Sequence, residues 1–137
     1  MHPDGSLYFT ADLGGYGKIW DLRNGKGIYE IQESDSILCC DFSSNGYELA
    51  VGGKSNMITI KDIRRLKNLK QIPAHTKLIS GLKYDKNESI LCSVGHDNNL
   101  KLWHGRSYIS VNLKDHILPS KATSVDIKEG RIGTTTI

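Results

Sequence analysis

The sequence predicts an all-β chain built as a β-propeller, a fan of repeated four-stranded sheets, and two observations predict it. The first is an internal repeat. The segment GKIWDLR (17–23) recurs as ITIKDIR (58–64) and as LKLWHGR (100–106). Anchored on Trp20, Lys61 and Trp103, the copies are offset by 41 and 42 residues. Turn residues keep the same spacing: SNG (44–46) follows PDG (3–5) by 41 positions, Asn87 follows Gly46 by 41, and Gly130 follows Asn87 by 43. The pair Ala74-His75 recurs as Asp115-His116, again 41 residues on. Independent features sharing one period of about 40–45 residues mark units of one propeller blade each. The second observation is punctuation. Short runs rich in β-branched and aromatic residues are bounded by Gly, Asn, Ser or Lys, and no stretch sustains helical periodicity.

The strands follow in order. The second unit reads ILCCDF (37–42), the turn SSNG (43–46), YELAVGG (47–53), MITIKDI (57–63) and NLKQIP (68–73). The third reads ISGLKYD (79–85), SILCSVG (89–95), LKLWH (100–104) and YISVNLK (108–114). The first unit lacks its opening strand, and the fourth offers only ATSVDIK (122–128) and RIGTTTI (131–137). Thirteen strands result, in groups of three, four, four and two. The expected units are therefore a partial blade over 1–32, complete blades over 33–73 and 74–114, and a partial blade over 115–137. This period together with the Trp20-Asp21 dipeptide is the WD-repeat signature. Propellers close with about four to eight blades. About three to three and a half are present, so the expectation is a fragment of a larger propeller.

Composition narrows the function classes. Hydrophobic residues make up 38% and charged residues 24%, a balance that supports a packed core and argues against disorder. The net charge of +3 falls well short of a chain built mainly to neutralise phosphates. No apolar run approaches the ~18 residues of a membrane span, and no signal-peptide pattern opens the chain, so no membrane association is expected. Cys39, Cys40 and Cys92 show no CxxC spacing. They read as small buried hydrophobes in a reducing compartment rather than as disulfide or zinc partners. No cofactor is expected.

His75, Ser93, Asp97 and Trp103 contain the residue types of a hydrolase triad. Their order fits a different arrangement better. In WD repeats a His opens the unit, Ser lies on the second strand, Asp in the following turn and Trp on the third strand, as a hydrogen-bonded structural tetrad. Each such bond contributes only about 1 kcal/mol net, yet stranding one buried partner costs roughly 1–3 kcal/mol. A nucleophile would need exposure and an oxyanion pocket, and no GxSxG elbow surrounds Ser93. The chain is therefore expected not to be an enzyme. The other units depart from the tetrad. Gly14 and Ser55 stand in the Asp column, Lys61 replaces the Trp, and Glu33-Ser34 occupies the opening position. Stability is then expected to come mainly from apolar packing between sheets. His96-Asp97 lacks a partner at metal-ligand spacing, so no metal site is expected. Trp20-Asp21-Leu22-Arg23 and Asp62-Ile63-Arg64 read as structural Asp turns. They also resemble the WDxR box of substrate receptors for cullin-type ubiquitin ligases, the alternative function.

Several strings carry a closer likeness. IPAHTKLISGLKYD (72–85), HPDGSL (2–7) with GKIWDLR, and NGYELAVGG (45–53) resemble the WD-repeat subunit family of the spliceosomal tri-snRNP, pre-mRNA-processing factor four. The turn ADLGGYG (11–17) adds to it, being read as longer than the usual turn at that place. The resemblance covers roughly residues 2–104 and fades beyond Gly105. It implies a seven-bladed propeller in the parent protein and a nuclear, non-catalytic docking scaffold of the U-four/U-six small nuclear ribonucleoprotein. The implied partners are the companion pre-mRNA-processing factor three and a cyclophilin, with small nuclear RNA held directly or indirectly.

A propeller presents its variable turns on two rims. On one rim the candidate partner contacts are Asp35, Lys54, Thr76, Lys77, His96 and Asn98. On the other, RRLKNLK (64–70) carries Arg64, Arg65, Lys67 and Lys70, candidate contacts to RNA phosphates. Open blade edges expose unpaired backbone groups. Two copies are therefore expected to associate, each lending its fourth-unit strands to the incomplete first blade of the other. Light scattering that finds only monomer at high concentration would contradict this.

Overall fold

The computed structural model describes residues 1–87, 90–111, 116–118, 120–128 and 131–136. These form thirteen strands, and no helix occurs among the described residues. Sheet one holds β1 (Leu7–Ala11), β2 (Tyr16–Asp21) and β3 (Lys26–Gln32). Sheet two holds β4 (Ile37–Phe42), β5 (Glu48–Gly53), β6 (Met57–Asp62) and β7 (Lys67–Pro73). Sheet three holds β8 (Ile79–Tyr84), β9 (Ile90–Gly95), β10 (Asn99–His104) and β11 (His116–Ile117). The pair β12 (Ala122–Lys128) and β13 (Arg131–Thr136) makes the fourth. Every sheet is an antiparallel meander, and the innermost strands β4, β8 and β12 lie against one another. The architecture is that of consecutive propeller blades.

The burial pattern explains the stacking. β5, β6 and β9 are buried along nearly their whole length, on both faces. An isolated sheet could not satisfy such strands, so neighbouring sheets must cover them. Three apolar clusters do so. Phe9, Ile19 and Ile31 of sheet one meet Ile37, Phe42, Leu49 and Val51 of sheet two. Ala50, Ile58 and Ile60 of sheet two meet Ile79, Leu82, Leu91 and Trp103 of sheet three. Cys92, Val94 and Leu102 of sheet three meet Ala122 and the half-buried Val125 of the fourth. Polar links cross the same seams. Ser36 Oγ donates to Leu13 O at 2.6 Å, Tyr84 N to Asp41 Oδ2 at 2.8 Å, and Ser80 Oγ to Ala122 O at 2.5 Å.

The turns repeat as faithfully as the strands. Gly5 and Gly46 hold the left-handed position of the first turn of their units. Gly15, Asn56 and Asn98 hold it between the second and third strands, with φ of 84°, 62° and 64°. Gly25, Leu66 and Tyr108 hold it between the third and fourth, with φ of 69°, 58° and 55°. Backbone geometry thus carries the period even where side chains have diverged.

Three expectations need correction. The outer strand of the third unit, expected over 108–114, is displaced. Ser110 bridges Trp103, and pairing resumes as β11 with His116 opposite Leu100, three residues out of register with that bridge. Residues 112–115 lie outside the described residues, as do Pro119 and the Gly130 of the repeat. Sheet three consequently runs past residue 114 to Ile117. Secondly, the ADLGGYG turn is not long. Thr10 pairs with Lys18, Val51 with Thr59 and Ser93 with Lys101, so all three turns span the same number of residues. Thirdly, of the cysteines only Cys92 is fully buried, Cys39 and Cys40 being half-buried. Burial still pushes the thiols up, to about 11 at Cys40 and about 12 at Cys92, so they remain protonated and unreactive at neutral pH.

Gly15 tests the turn geometry. An added Cβ would lie 2.7 Å from Glu33 O and 2.8 Å from Asp35 O, in addition to the left-handed φ. Gly15→Ala should lower unfolding free energy by about 2 kcal/mol in urea titration. An unchanged midpoint would contradict this placement.

Candidate functional site

His75 sits in the link from β7 to β8, Ser93 on β9, Asp97 in the β9–β10 turn and Trp103 on β10. Trp103 pairs with Leu91, which makes Ser93 its diagonal neighbour on one sheet face. The four close into a chain. His75 Nδ1 lies 3.0 Å from both Asp97 oxygens, and Nε2 lies 2.8 Å from Ser93 Oγ. The Trp103 indole N–H donates to the same Oγ at 3.0 Å. The proton order that satisfies every group is Nδ1–H to carboxylate, serine O–H to Nε2, and indole N–H to Oγ. The side chains of His75 and Asp97 are 0% and 4% exposed, and Ser93 is 0% exposed. With its proton committed and no path to solvent, Ser93 cannot reach a substrate. The network is structural chemistry.

Asp97 also organises the rim. Its Oδ2 accepts from Thr76 N at 3.1 Å and its Oδ1 from Asn99 N at 3.1 Å. Burial pushes this carboxyl up, but the Thr76 amide, the His75 imidazole and the Asn99 amide together outweigh it and hold it below the usual carboxylate range. His96 N adds a bond to Leu78 O at 3.0 Å. One carboxylate therefore ties the link entering the blade to the turn between its second and third strands.

The other blades solve the same problem differently. In sheet one Trp20 keeps half of the tetrad, donating to Thr10 Oγ1 at 2.9 Å, and Lys18 lies 4.9 Å over its ring. Asp12 replaces the missing turn carboxylate and accepts from Gly14 N at 2.8 Å and Tyr16 N at 3.0 Å. In sheet two Lys61, in the Trp column, reaches Glu33 at the start of the unit. Nζ is 2.5 Å from Glu33 Oε1 and donates to Asn68 Oδ1 at 2.7 Å. The Glu33 contact is close but poorly directed for a hydrogen bond, so its attraction is Coulombic. This buried pair went unread in the sequence. Its signal was the joint departure of two columns, Lys for Trp and Glu for a small residue. A second unread cluster joins sheets two and three: Tyr84 and Tyr108 hydroxyls meet at 2.9 Å, and Tyr108 donates to Glu48.

The six candidate partner contacts share one rim. Asp35, Lys54, Thr76 and Lys77 are exposed, while His96 and Asn98 are half-buried. The four basic residues of 64–70 divide. Arg64 is tied to Asp62, with N 2.8 Å from Oδ1 and Nη2 3.1 Å from Oδ2, and stacks 4.1 Å over the Tyr47 ring. Lys70 donates to Ser107 O at 2.7 Å. Arg65 and Lys67 remain exposed. Arg23 repeats the Asp62–Arg64 arrangement on Asp21, at 2.9 Å from its amide and 2.8 Å from Nη2. Both Arg residues of the box-like segments are thus held by their own turn Asp. Among the described residues no group of three or more His, Cys, Asp or Glu could hold a metal ion.

The model of the WD domain, G-beta repeat family matches residues 25–62 and 66–104. The chain belongs to the WD-repeat family. A mouse relative, telomerase protein component 1 (Mus musculus), is 29% identical over 103 residues, 75% of this chain and 4% of that protein. Two solved WD-repeat structures, of U3-55K and of the RRP9 WD40 repeats, superpose with a TM-score of 0.84 each, at 26% and 25% identity. Each covers 92% of this chain, which spans 40% of their length. WD-repeat propellers are typically non-catalytic interaction scaffolds, and the committed Ser93 hydroxyl agrees with that.

Asp97 gives the network a pH signature. Its folded-state carboxyl is depressed, so its stabilisation is complete above the unfolded value of about 3.9 and is lost as pH falls through the lower folded value. Asp97→Asn should cost about 1–3 kcal/mol at pH 7. The gap from the parent chain should narrow in acid, as pH falls through the depressed folded value. Denaturant titrations at pH 7 and in acid check this, and a gap undiminished in acid would contradict it.

Proposed function

We propose that this WD-repeat chain is a non-catalytic protein-docking scaffold that works in the nucleus within the U-four/U-six small nuclear ribonucleoprotein of pre-mRNA splicing. One observation carries the docking part. On the rim organised by Asp97, backbone amides are pinned while Thr76 and Lys77 stay exposed, as do Asp35 and Lys54 on the neighbouring blade. A pinned backbone has little further entropy to lose on association, so only the side chains are left to order. What supports the splicing part is the run of likeness in IPAHTKLISGLKYD, HPDGSL and NGYELAVGG. The mouse relative, by its name, is likewise a component of a larger assembly. Companion pre-mRNA-processing factor three and a cyclophilin are the proposed partners on this rim.

The ubiquitin-ligase receptor alternative would place Arg23 and Arg64 at an adaptor, but both are engaged by Asp21 and Asp62. The tagged protein, recovered from nuclear extract, should enrich the U-four and U-six small nuclear RNAs on sequencing of bound RNA. Arg23→Glu with Arg64→Glu should leave that enrichment intact. Background RNA alone would remove the splicing assignment, and loss of a co-purifying cullin adaptor on charge reversal would favour the alternative.

A further inference from the structure

Gly25, Leu66 and Tyr108 occupy one equivalent left-handed position in three consecutive blades. A residue with a side chain there carries a cost of about 1–2 kcal/mol that glycine avoids. Blade one avoids it with Gly25. Blade three offsets it inside the chain: Tyr108 is buried, its hydroxyl engaged with Tyr84 and Glu48. Blade two does neither. Leu66 is strained at φ 58° and is nevertheless 47% exposed. Its backbone is held in place by its amide on Asp62 O at 2.8 Å and by Tyr29 Oη donating to its carbonyl at 3.1 Å.

The surroundings state what would cover it. Leu69, the bulged residue of the following strand, is 48% exposed. Arg65 and Lys67 flank Leu66, both exposed, with no carboxylate in ion-pair distance of either among the described residues. Arg64 and Lys70 are already engaged by Asp62 and Ser107. We infer that the β6–β7 turn is a docking knob for an acidic polypeptide segment of another protein, with Leu66 meeting an apolar side chain of that segment and Arg65 and Lys67 meeting its carboxylates. This departs from the RNA expectation for the same turn. Phosphates would satisfy the two cations, but a branched aliphatic side chain on a strained backbone has nothing to stack on a base. The rim is the one opposite Asp97, so the inference stands apart from the splicing assignment.

The test uses Leu66→Gly, which relieves the strained backbone and should leave the thermal midpoint equal to or above that of the parent chain. Random dodecapeptides displayed on phage are panned against the parent chain, and recovered peptides are measured by fluorescence anisotropy beside a dodecameric oligouridine. The expected outcome is a set of acidic peptides with apolar anchors. Their affinity should fall at least about tenfold both in Leu66→Gly and in the pair Arg65→Glu, Lys67→Glu. The inference is overturned if no acidic peptide is recovered or if Leu66→Gly binds as well as the parent. Oligouridine binding more tightly than the peptides, through Arg65 and Lys67 and indifferent to Leu66, would overturn it in favour of RNA.

Discussion

Everything in this molecule depends on the burial of both faces of its middle strands. In an ordinary two-layer sheet one face meets the core and the other meets water, and side chains alternate accordingly. β5, β6 and β9 do not alternate. Leu49, Ala50, Val51 and Ile58, Ile60 are buried whichever way they point. Sheets with two apolar faces must stack, and the innermost strands converge because twisted sheets packed face to face cannot run parallel indefinitely. The repeat period, the short turns and the fan arrangement all follow from that demand.

Against this apolar background the polar networks are interchangeable insertions. Blades two and three bury polar groups between the start of the unit and its third strand, and they engage them by different chemistry. Blade three uses His75, Ser93, Asp97 and Trp103. Blade two uses the Glu33–Lys61 pair with Asn68. Blade one retains Trp20 on Thr10, with Asp12 bracing the turn. The common requirement is that a buried polar group be engaged, by hydrogen bonds at Ser93 and by the Lys61 charge at Glu33 Oε1. The same requirement consumes the groups a catalyst would need free. At the rim the Asp97 network stiffens the backbone and leaves the Thr76 and Lys77 side chains outside.

Most of the fold was legible in the sequence. Twelve of the strands and the grouping into three, four, four and two were legible because turn chemistry and strand composition are local, and because a repeat presents the same local signal several times. The tetrad was legible for the same reason, as four residue types at fixed positions in a known unit. Other features were set by partners distant in sequence. The displacement of the outer strand to His116 depends on pairing with Leu100, and no composition signal in YISVNLK marks it. The ADLGGYG turn has the ordinary length because Thr10 lies opposite Lys18 just as Val51 lies opposite Thr59.

The same division separates the two rims. The sequence by itself determined the blades, their period, the turns and the identities of the charged residues, because those follow from local propensity and patterning. Only the tertiary structure decided which charges are spoken for. Arg64 and Lys70 look equivalent to Arg65 and Lys67 along the chain, yet one pair is bonded to Asp62 and Ser107 and the other faces solvent. Likewise Leu66 and Tyr108 share a backbone conformation, and only packing decides that Tyr108 is enclosed while Leu66 is left outside. The physical reason is that hydrogen bonds and burial belong to pairs of groups, and the chain order does not state which groups will meet.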